Sequence, residues 1–136
     1  MRMLIVDDDQ TVVDFYTQAA RARGYSEITT ALSGEEALGK VVQGTFDFIT
    51  LDIRMPGASG LEILSPVRSM CPHAVIAVIS GYLDDEPVSD LAGCADVVLQ
   101  KPVDLATVNT LLDSAAKIAR TMEEIRDLGT ASPGSC

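Results

Sequence analysis

Six residues carry most of the reactive potential of this sequence: the run Asp7, Asp8 and Asp9, then Asp52, Ser80 and Lys101. Each lies at the end of, or just after, one of four short apolar runs, over residues 3–6, 46–51, 74–79 and 97–99. Clustered carboxylates repel one another and require a cation. Hard oxygen donors select Mg²⁺, with Mn²⁺ as a substitute, over softer metals. A carboxylate placed beside a divalent ion, a hydroxyl and an amine can accept a phosphoryl group. The cation and the amine neutralise the transferring oxygens, and the hydroxyl donates a hydrogen bond.

Each residue also has a plainer reading. Three acids before a helix are good capping residues. Asp52 could be a turn residue ahead of Arg54-Met55-Pro56-Gly57, Ser80-Gly81 a strand-end turn, and Lys101 a solvated side chain. The chemical reading holds only if one fold gathers all of them at one edge.

The elements needed for that gathering are legible. None of the four runs alternates between apolar and polar residues, which suits strands covered on both faces, hence a parallel sheet. A weaker run over 27–31 follows Gly24-Tyr25 and reads as a fifth strand. Between the runs lie helical patterns. Residues 10–23 carry an i, i+3, i+4 apolar stripe that Gly24 should terminate. Ser33-Gly34-Glu35-Glu36 is a capping box for a helix reaching about residue 42, and Ser59-Gly60-Leu61-Glu62 repeats that signature. Pro66 predicts a kink or a shortened third helix. A weaker fourth helix is expected over 87–92, ended by Gly93. Asp104 should cap a last helix running to about Leu128, roughly 36 Å long. The order is βα five times, an α/β doubly wound five-stranded parallel sheet with an extended C-terminal helix, whose ligands belong beyond the carboxyl ends of the strands.

Composition narrows the function classes. The chain has 136 residues, 47% of them apolar, which is one ordinary domain. Twenty acids against ten bases give a formal charge of −10, a field that repels nucleic acid and anionic membranes and favours a cation or a basic partner. Cys71, Cys94 and Cys136 form no C-x-x-C pair, and His73, the single histidine, reads as a surface residue rather than a ligand. The start MRMLIVDDD is no signal peptide, and no apolar run approaches a bilayer span, so a cytoplasmic location is expected.

The segments MLIVDDD, FDFITLDIRMPGASGLEIL, VIAVISG and ADVVLQKP together resemble the receiver domain of two-component response regulators, the CheY-like superfamily, over roughly residues 3–104. The resemblance implies strand order 2-1-3-4-5. It implies that Asp52 takes a phosphoryl group from a sensor histidine kinase or a histidine phosphotransfer protein. It also implies that Asp7, Asp8, Asp52 and the Arg54 backbone carbonyl hold Mg²⁺, that Ser80, Gly81 and Lys101 contact the phosphate, and that the Lys101–Pro102 bond is cis. Such a domain is a phosphoacceptor, with self-catalysed transfer and dephosphorylation, and not a turnover enzyme. The family's switch aromatic is matched here by Val98, so no rotating ring acts there. The switch falls to Ser80 with backbone motion, or to Tyr82.

Two other readings compete. Leu4 to Thr11 also resembles the Asp-x-Asp-x-Thr motif of haloacid-dehalogenase-like phosphohydrolases, with Asp7 as nucleophile and Asp9 as acid/base, but the final acidic motif is missing. A phosphorylation-independent docking module is the third class. The receiver is expected over residues 1–128, with 118–128 a helical extension or linker start and 129–136 a disordered tail. The second half of the last helix should outrun its cover, leaving Ile118, Met122, Ile125 and Leu128 as a stripe for a homodimer seam or for continuation into an effector domain of a longer chain.

Overall fold

The computed structural model describes residues 1–55, 57, 60–81 and 93–129. Along the chain run β1 (Met3–Val6), α1 (Gln10–Ala22), β2 (Ile28–Ala31), α2 (Gly34–Gln43), β3 (Phe48–Leu51), α3 (Gly60–Met70), β4 (Val75–Ser80), β5 (Val97–Gln100) and α4 (Leu105–Asp127). All strand pairs are parallel, in the order β2-β1-β3-β4-β5. The expected architecture and order are therefore observed. The weaker helix expected over 87–92, Tyr82, the Ser59 cap and residues 130–136 lie outside the described residues.

The apolar runs are continuous because the sheet has a core on each face. Leu4, Val6, Ile49, Leu51, Ile76 and Val78 face α2 and α3, meeting Ala37, Val41, Ile63, Leu64 and Val67. Their strand neighbours Met3, Ile5, Phe48, Ala77 and Ile79 face α1 and α4, meeting Val13, Tyr16, Ala20, Val108, Leu112 and Ala115. Successive residues point to opposite faces, so both parities must be apolar. β3 begins two residues later than the apolar run suggests. Asp47 instead bonds to Arg2, donating its N–H to the Arg2 carbonyl (2.7 Å) and accepting the Arg2 N–H on its carboxylate (2.8 Å).

Local signals set the helix boundaries. The Asp9 carboxylate accepts the Thr11 N–H at the start of α1, and Gly24, at φ +90°, follows its end. Ser33 Oγ accepts the Glu36 N–H, but Glu36 returns its carboxylate to the Leu32 N–H, one residue before the cap. Asp104 accepts the Thr107 N–H and starts α4. Pro66 does not shorten α3, which runs unbroken through it. The proline sits on the exposed face, while Ile63, Leu64 and Val67 anchor the other side to the sheet. Arg68 then ties the far edge together, donating to the carbonyls of Cys94 (2.8 Å) and Ala74 (2.7 Å) and to Asp96 (2.7 Å).

The last helix is covered further than its sequence suggests. Val108, Leu112 and Ala115 are buried, and Ala119 and Met122 continue that row half-buried. The overhanging part lies along the amino edge of the sheet, facing a cleft lined by Met1, Arg2, Tyr25, Glu27 and Asp47. Met122 thus leaves the expected free stripe. What stays exposed is Ile118 (47%), Ile125 (55%) and Leu128 (88%). On another side of α4, Arg23 forks onto Asp113, with Nε to Oδ1 at 2.8 Å, and Tyr25 donates to the same carboxylate, fixing the helix against α1.

Gly39 lies exposed inside α2, with nothing within 4 Å of where a side-chain carbon would stand and no positive φ. Gly39→Ala should therefore stabilise the protein by about 0.5–1 kcal/mol, through lower unfolded-state entropy and higher helix propensity. A rise in the urea midpoint at constant m-value is the expected result.

Candidate functional site

The β-strands end at one edge, and the reactive residues sit there because the parallel register aligns those ends. Val6 pairs with Leu51, Leu51 with Val78, and Ser80 with Gln100. Asp7 follows β1 and Asp52 follows β3, both buried, at 2% and 4% exposure. Ser80 ends β4, fully buried, and its carbonyl accepts the Lys101 N–H at 2.9 Å.

Lys101 is the hub. Its Nζ donates to Asp7 Oδ2 at 2.7 Å and to Asp52 Oδ2 at 3.3 Å. Asp7 is committed on both oxygens, since Oδ1 accepts the Asp9 N–H at 2.9 Å. Asp52 Oδ1 accepts the Arg54 N–H at 3.0 Å, and the Asp52 N–H donates to the Val6 carbonyl. The acid after β3 is thus oriented through one oxygen and held more loosely at the other. The Lys101–Pro102 bond is cis.

Electrostatics follow from this burial. Desolvation, aided by the Asp7 charge, pushes the Asp52 carboxyl above its ordinary value, against the Arg54 N–H and the Lys101 charge. Burial pulls Lys101 downward, but its hydrogen bond to Asp7 and the two carboxylate charges outweigh that and hold its ammonium form above the ordinary range. Asp9 is different. The hydroxyl and N–H of Thr11 both donate to it, and its pKa is lowered.

Carboxylate oxygens of Asp7, Asp8 and Asp52 all lie within 4.8 Å of one another. When ionised, three carboxylates against one ammonium leave two uncompensated negative charges. An all-oxygen donor set with that imbalance fits a hard divalent cation.

The other predicted positions are arranged less tightly. Arg54 is exposed, and its N–H is turned to Asp52. Gly81 is exposed, with open space where a side chain would start. Val98 is half-buried and packs into the core on the α2/α3 face. Met55 is buried in that same core, and His73 is exposed. The geometry argues against Asp7 as a nucleophile with Asp9 as its acid. Both Asp7 oxygens are closely bonded, at 2.7 and 2.9 Å, where Asp52 keeps one looser oxygen at 3.3 Å, and a carboxyl with a lowered pKa is a poor proton donor at neutral pH. Two neighbours of the site escaped sequence reasoning. Tyr16, on α1, walls a surface groove shared with Lys101 and Pro102, and burial raises its hydroxyl pKa. Gly60, at the first turn of α3, touches the backbone of Asp52. Tyr16 carries the ordinary helical apolar signal, and the Gly60 contact is set by helix placement, so neither is marked in the sequence.

Comparison with known proteins agrees with this geometry. A family profile described as the response regulator receiver domain matches residues 3–113. The transcriptional regulatory protein PrrA of Mycobacterium tuberculosis is 32% identical over 135 residues, covering 98% of this chain and 54% of PrrA. The chain spans about half the length of such relatives. Among solved structures, a response regulator receiver domain protein (CheY-like) from Methanospirillum hungatei is 30% identical with a TM-score of 0.72, over 94% of this chain and 98% of that one. A response regulator protein from Burkholderia pseudomallei, solved with a phosphorylated aspartic acid, calcium ion and citrate, is 27% identical with a TM-score of 0.73, over 92% of this chain and 74% of that one.

A buried carboxylate whose pKa is raised by folding favours the folded state most when protonated, so its penalty enters as pH rises above the unfolded value of about 4. Without divalent cation, Asp52→Asn should raise the melting midpoint by a few degrees at pH 7. The gain should shrink toward zero as pH falls to about 4. Millimolar MgCl₂ should raise the midpoint of the parent and much less that of the variant. Melting curves across pH, with and without MgCl₂, check both.

Proposed function

The chain belongs to the response regulator receiver domain family, and on that premise we propose that Asp52 is its phosphoacceptor, loaded by a histidine kinase or histidine phosphotransfer protein. The observation that carries this reading is the pairing of the buried Asp52 with Lys101 at 3.3 Å inside a cluster of three carboxylates. In the transfer, an Asp52 oxygen attacks phosphorus, the bond from phosphorus to the donor's imidazole nitrogen breaks, and the nitrogen keeps the electron pair. The product is an acyl phosphate.

Each protein group has a task in that reading. The Arg54 N–H fixes one Asp52 oxygen and so aims the other. Lys101 moves its ammonium from the Asp7–Asp52 pair onto a phosphoryl oxygen, and Ser80 donates its hydroxyl to another. Gly81 leaves room for the phosphoryl group. Asp7, Asp8, Asp52 and the Arg54 carbonyl would hold Mg²⁺, whose contribution is to neutralise charge on the phosphoryl oxygens. The switch would begin at Ser80, with Val98 and Tyr82 on its path. Residues 1–128 act as one receiver unit in the cytoplasm, with 118–128 as its helical extension or linker start.

With MgCl₂ and acetyl phosphate, intact-protein mass spectrometry should find one labile phosphoryl adduct on the parent and none on Asp52→Asn. Lys101→Ala should slow labelling at least tenfold. Undiminished labelling of Asp52→Asn would sink the assignment.

The output in this reading is a protein contact made by α4. A net charge of −10 disfavours nucleic acid as the direct target of this chain. The relatives extend well beyond the matched region and are named as transcriptional regulators, so an effector region joined after α4 fits the same reading. Arg23 and Tyr25 hold the Asp113 side of α4, leaving Ile118 and Ile125, seven residues apart, for a second copy. Sedimentation equilibrium should find a dimer in the micromolar range, strengthened by Asp52 phosphorylation and lost in the double variant Ile118→Glu, Ile125→Glu. Monomers throughout, with and without phosphoryl donor, would remove the seam.

A further inference from the structure

Most glycines in this chain are explained by open space or by φ. Gly24 and Gly57 have positive φ, while Gly39, Gly81, Gly93 and Gly129 have nothing within 4 Å of an added side-chain carbon. Gly60 differs on both counts. Its φ is not positive, yet a side-chain carbon there would stand 2.1 Å from the Asp52 carbonyl oxygen, 2.8 Å from its carbonyl carbon and 2.7 Å from the Ile53 Cα. Real side-chain carbons do not approach backbone so closely. A backbone neighbour, unlike the end of a flexible side chain, cannot swing away.

The first turn of α3 therefore rests directly on the peptide that leaves the acceptor. The two residues that this peptide joins are held as well. The Asp52 N–H is bonded to β1 through the Val6 carbonyl at 3.0 Å, and Ile53 and Met55 are buried in the α2/α3 core. Helix α3 is itself pinned by Ile63, Leu64 and Val67. Three constraints thus converge on the Asp52–Ile53 pair: strand pairing through the Asp52 N–H, core burial of Ile53 and the bare face of Gly60.

We infer that Gly60 is a positioning residue for phosphoryl transfer: its missing side chain lets α3 clamp the Asp52–Ile53 peptide, which sets where the Asp52 carboxylate stands relative to Lys101 and Asp7. This rests on Asp52 being the acceptor. Relieving the 2.1 Å approach takes a shift of roughly 1 Å, and the carboxylate moves with the peptide, because the Arg54 N–H ties the side chain to the same loop. Transfer rates fall steeply with such misplacement.

Gly57 supplies the control. It lies in the same loop at φ +77°, and its nearest neighbour to an added carbon is Glu35 Oε1 at 3.8 Å. Gly57→Ala adds backbone strain without touching Asp52. The experiment compares the parent, Gly57→Ala and Gly60→Ala, each also in the Gly39→Ala background. It records circular dichroism, ¹⁵N–¹H spectra and labelling rates with acetyl phosphate at saturating MgCl₂. Gly57→Ala should melt lower but label within twofold of the parent. Gly60→Ala should fold, shift the Asp52 and Ile53 amide signals, and label at least tenfold more slowly. Folded Gly60→Ala that labels within twofold of the parent, or that leaves those amide signals in place, overturns the inference. So does failure of Gly60→Ala to fold in the Gly39→Ala background where Gly57→Ala folds, since Gly60 would then serve folding and not positioning. A parent that carries no adduct on Asp52 strikes the acceptor assignment instead, and the amide shifts still decide whether Gly60 places the peptide.

Discussion

Two carboxylates, Asp7 and Asp52, are buried side by side at the carboxyl edge of a parallel sheet, with one ammonium, that of Lys101, between them. Burying ionised groups is costly, and placing like charges together adds to that cost. The sheet bears it because the acids stand at the ends of β1 and β3, neighbouring interior strands that are buried along their whole length. The raised pKa of Asp52 is the visible mark of this tension. A site so charged favours whatever relieves it, which is a divalent cation and a group that engages the lysine. Its instability and its chemistry have the same origin.

The rest of the fold can be understood as support for that edge. Two cores, one on each sheet face, hold the central strands in register, so the ends of β1 and β3 lie level. The cap at Asp104 turns the chain directly from the site into α4. Helix α4 lies on the same face as α1, tied to it by Arg23, Tyr25 and Asp113. The element that follows the lysine is thus also the one that leaves the sheet and presents Ile118, Ile125 and Leu128 outward. Site and exposed surface are joined by one short connection.

The order of elements, both cores and the acidic cluster were legible in the sequence. Their signals are local or periodic: unbroken apolar runs, Asp9, Ser33 and Asp104 at helix starts, Gly24 at a helix end. Parallel topology then places strand ends together without further information, so the sequence pattern alone groups Asp7, Asp52, Ser80 and Lys101. Only the tertiary structure decided the rest. It gave both oxygens of Asp7 partners and left Asp52 the looser of the pair, a difference of 2.7 against 3.3 Å to one ammonium that no spacing encodes. It carried α3 through Pro66, because packing of Ile63, Leu64 and Val67 outweighs one missing backbone donor. It moved Met122 from the free stripe to the half-buried row, because the cover of α4 depends on how far the sheet edge reaches. And it pressed Gly60 against Asp52. Sequence fixes which groups are near each other along the chain and which faces must be buried, whereas contacts between elements arise from how rigid helices and strands settle against one another.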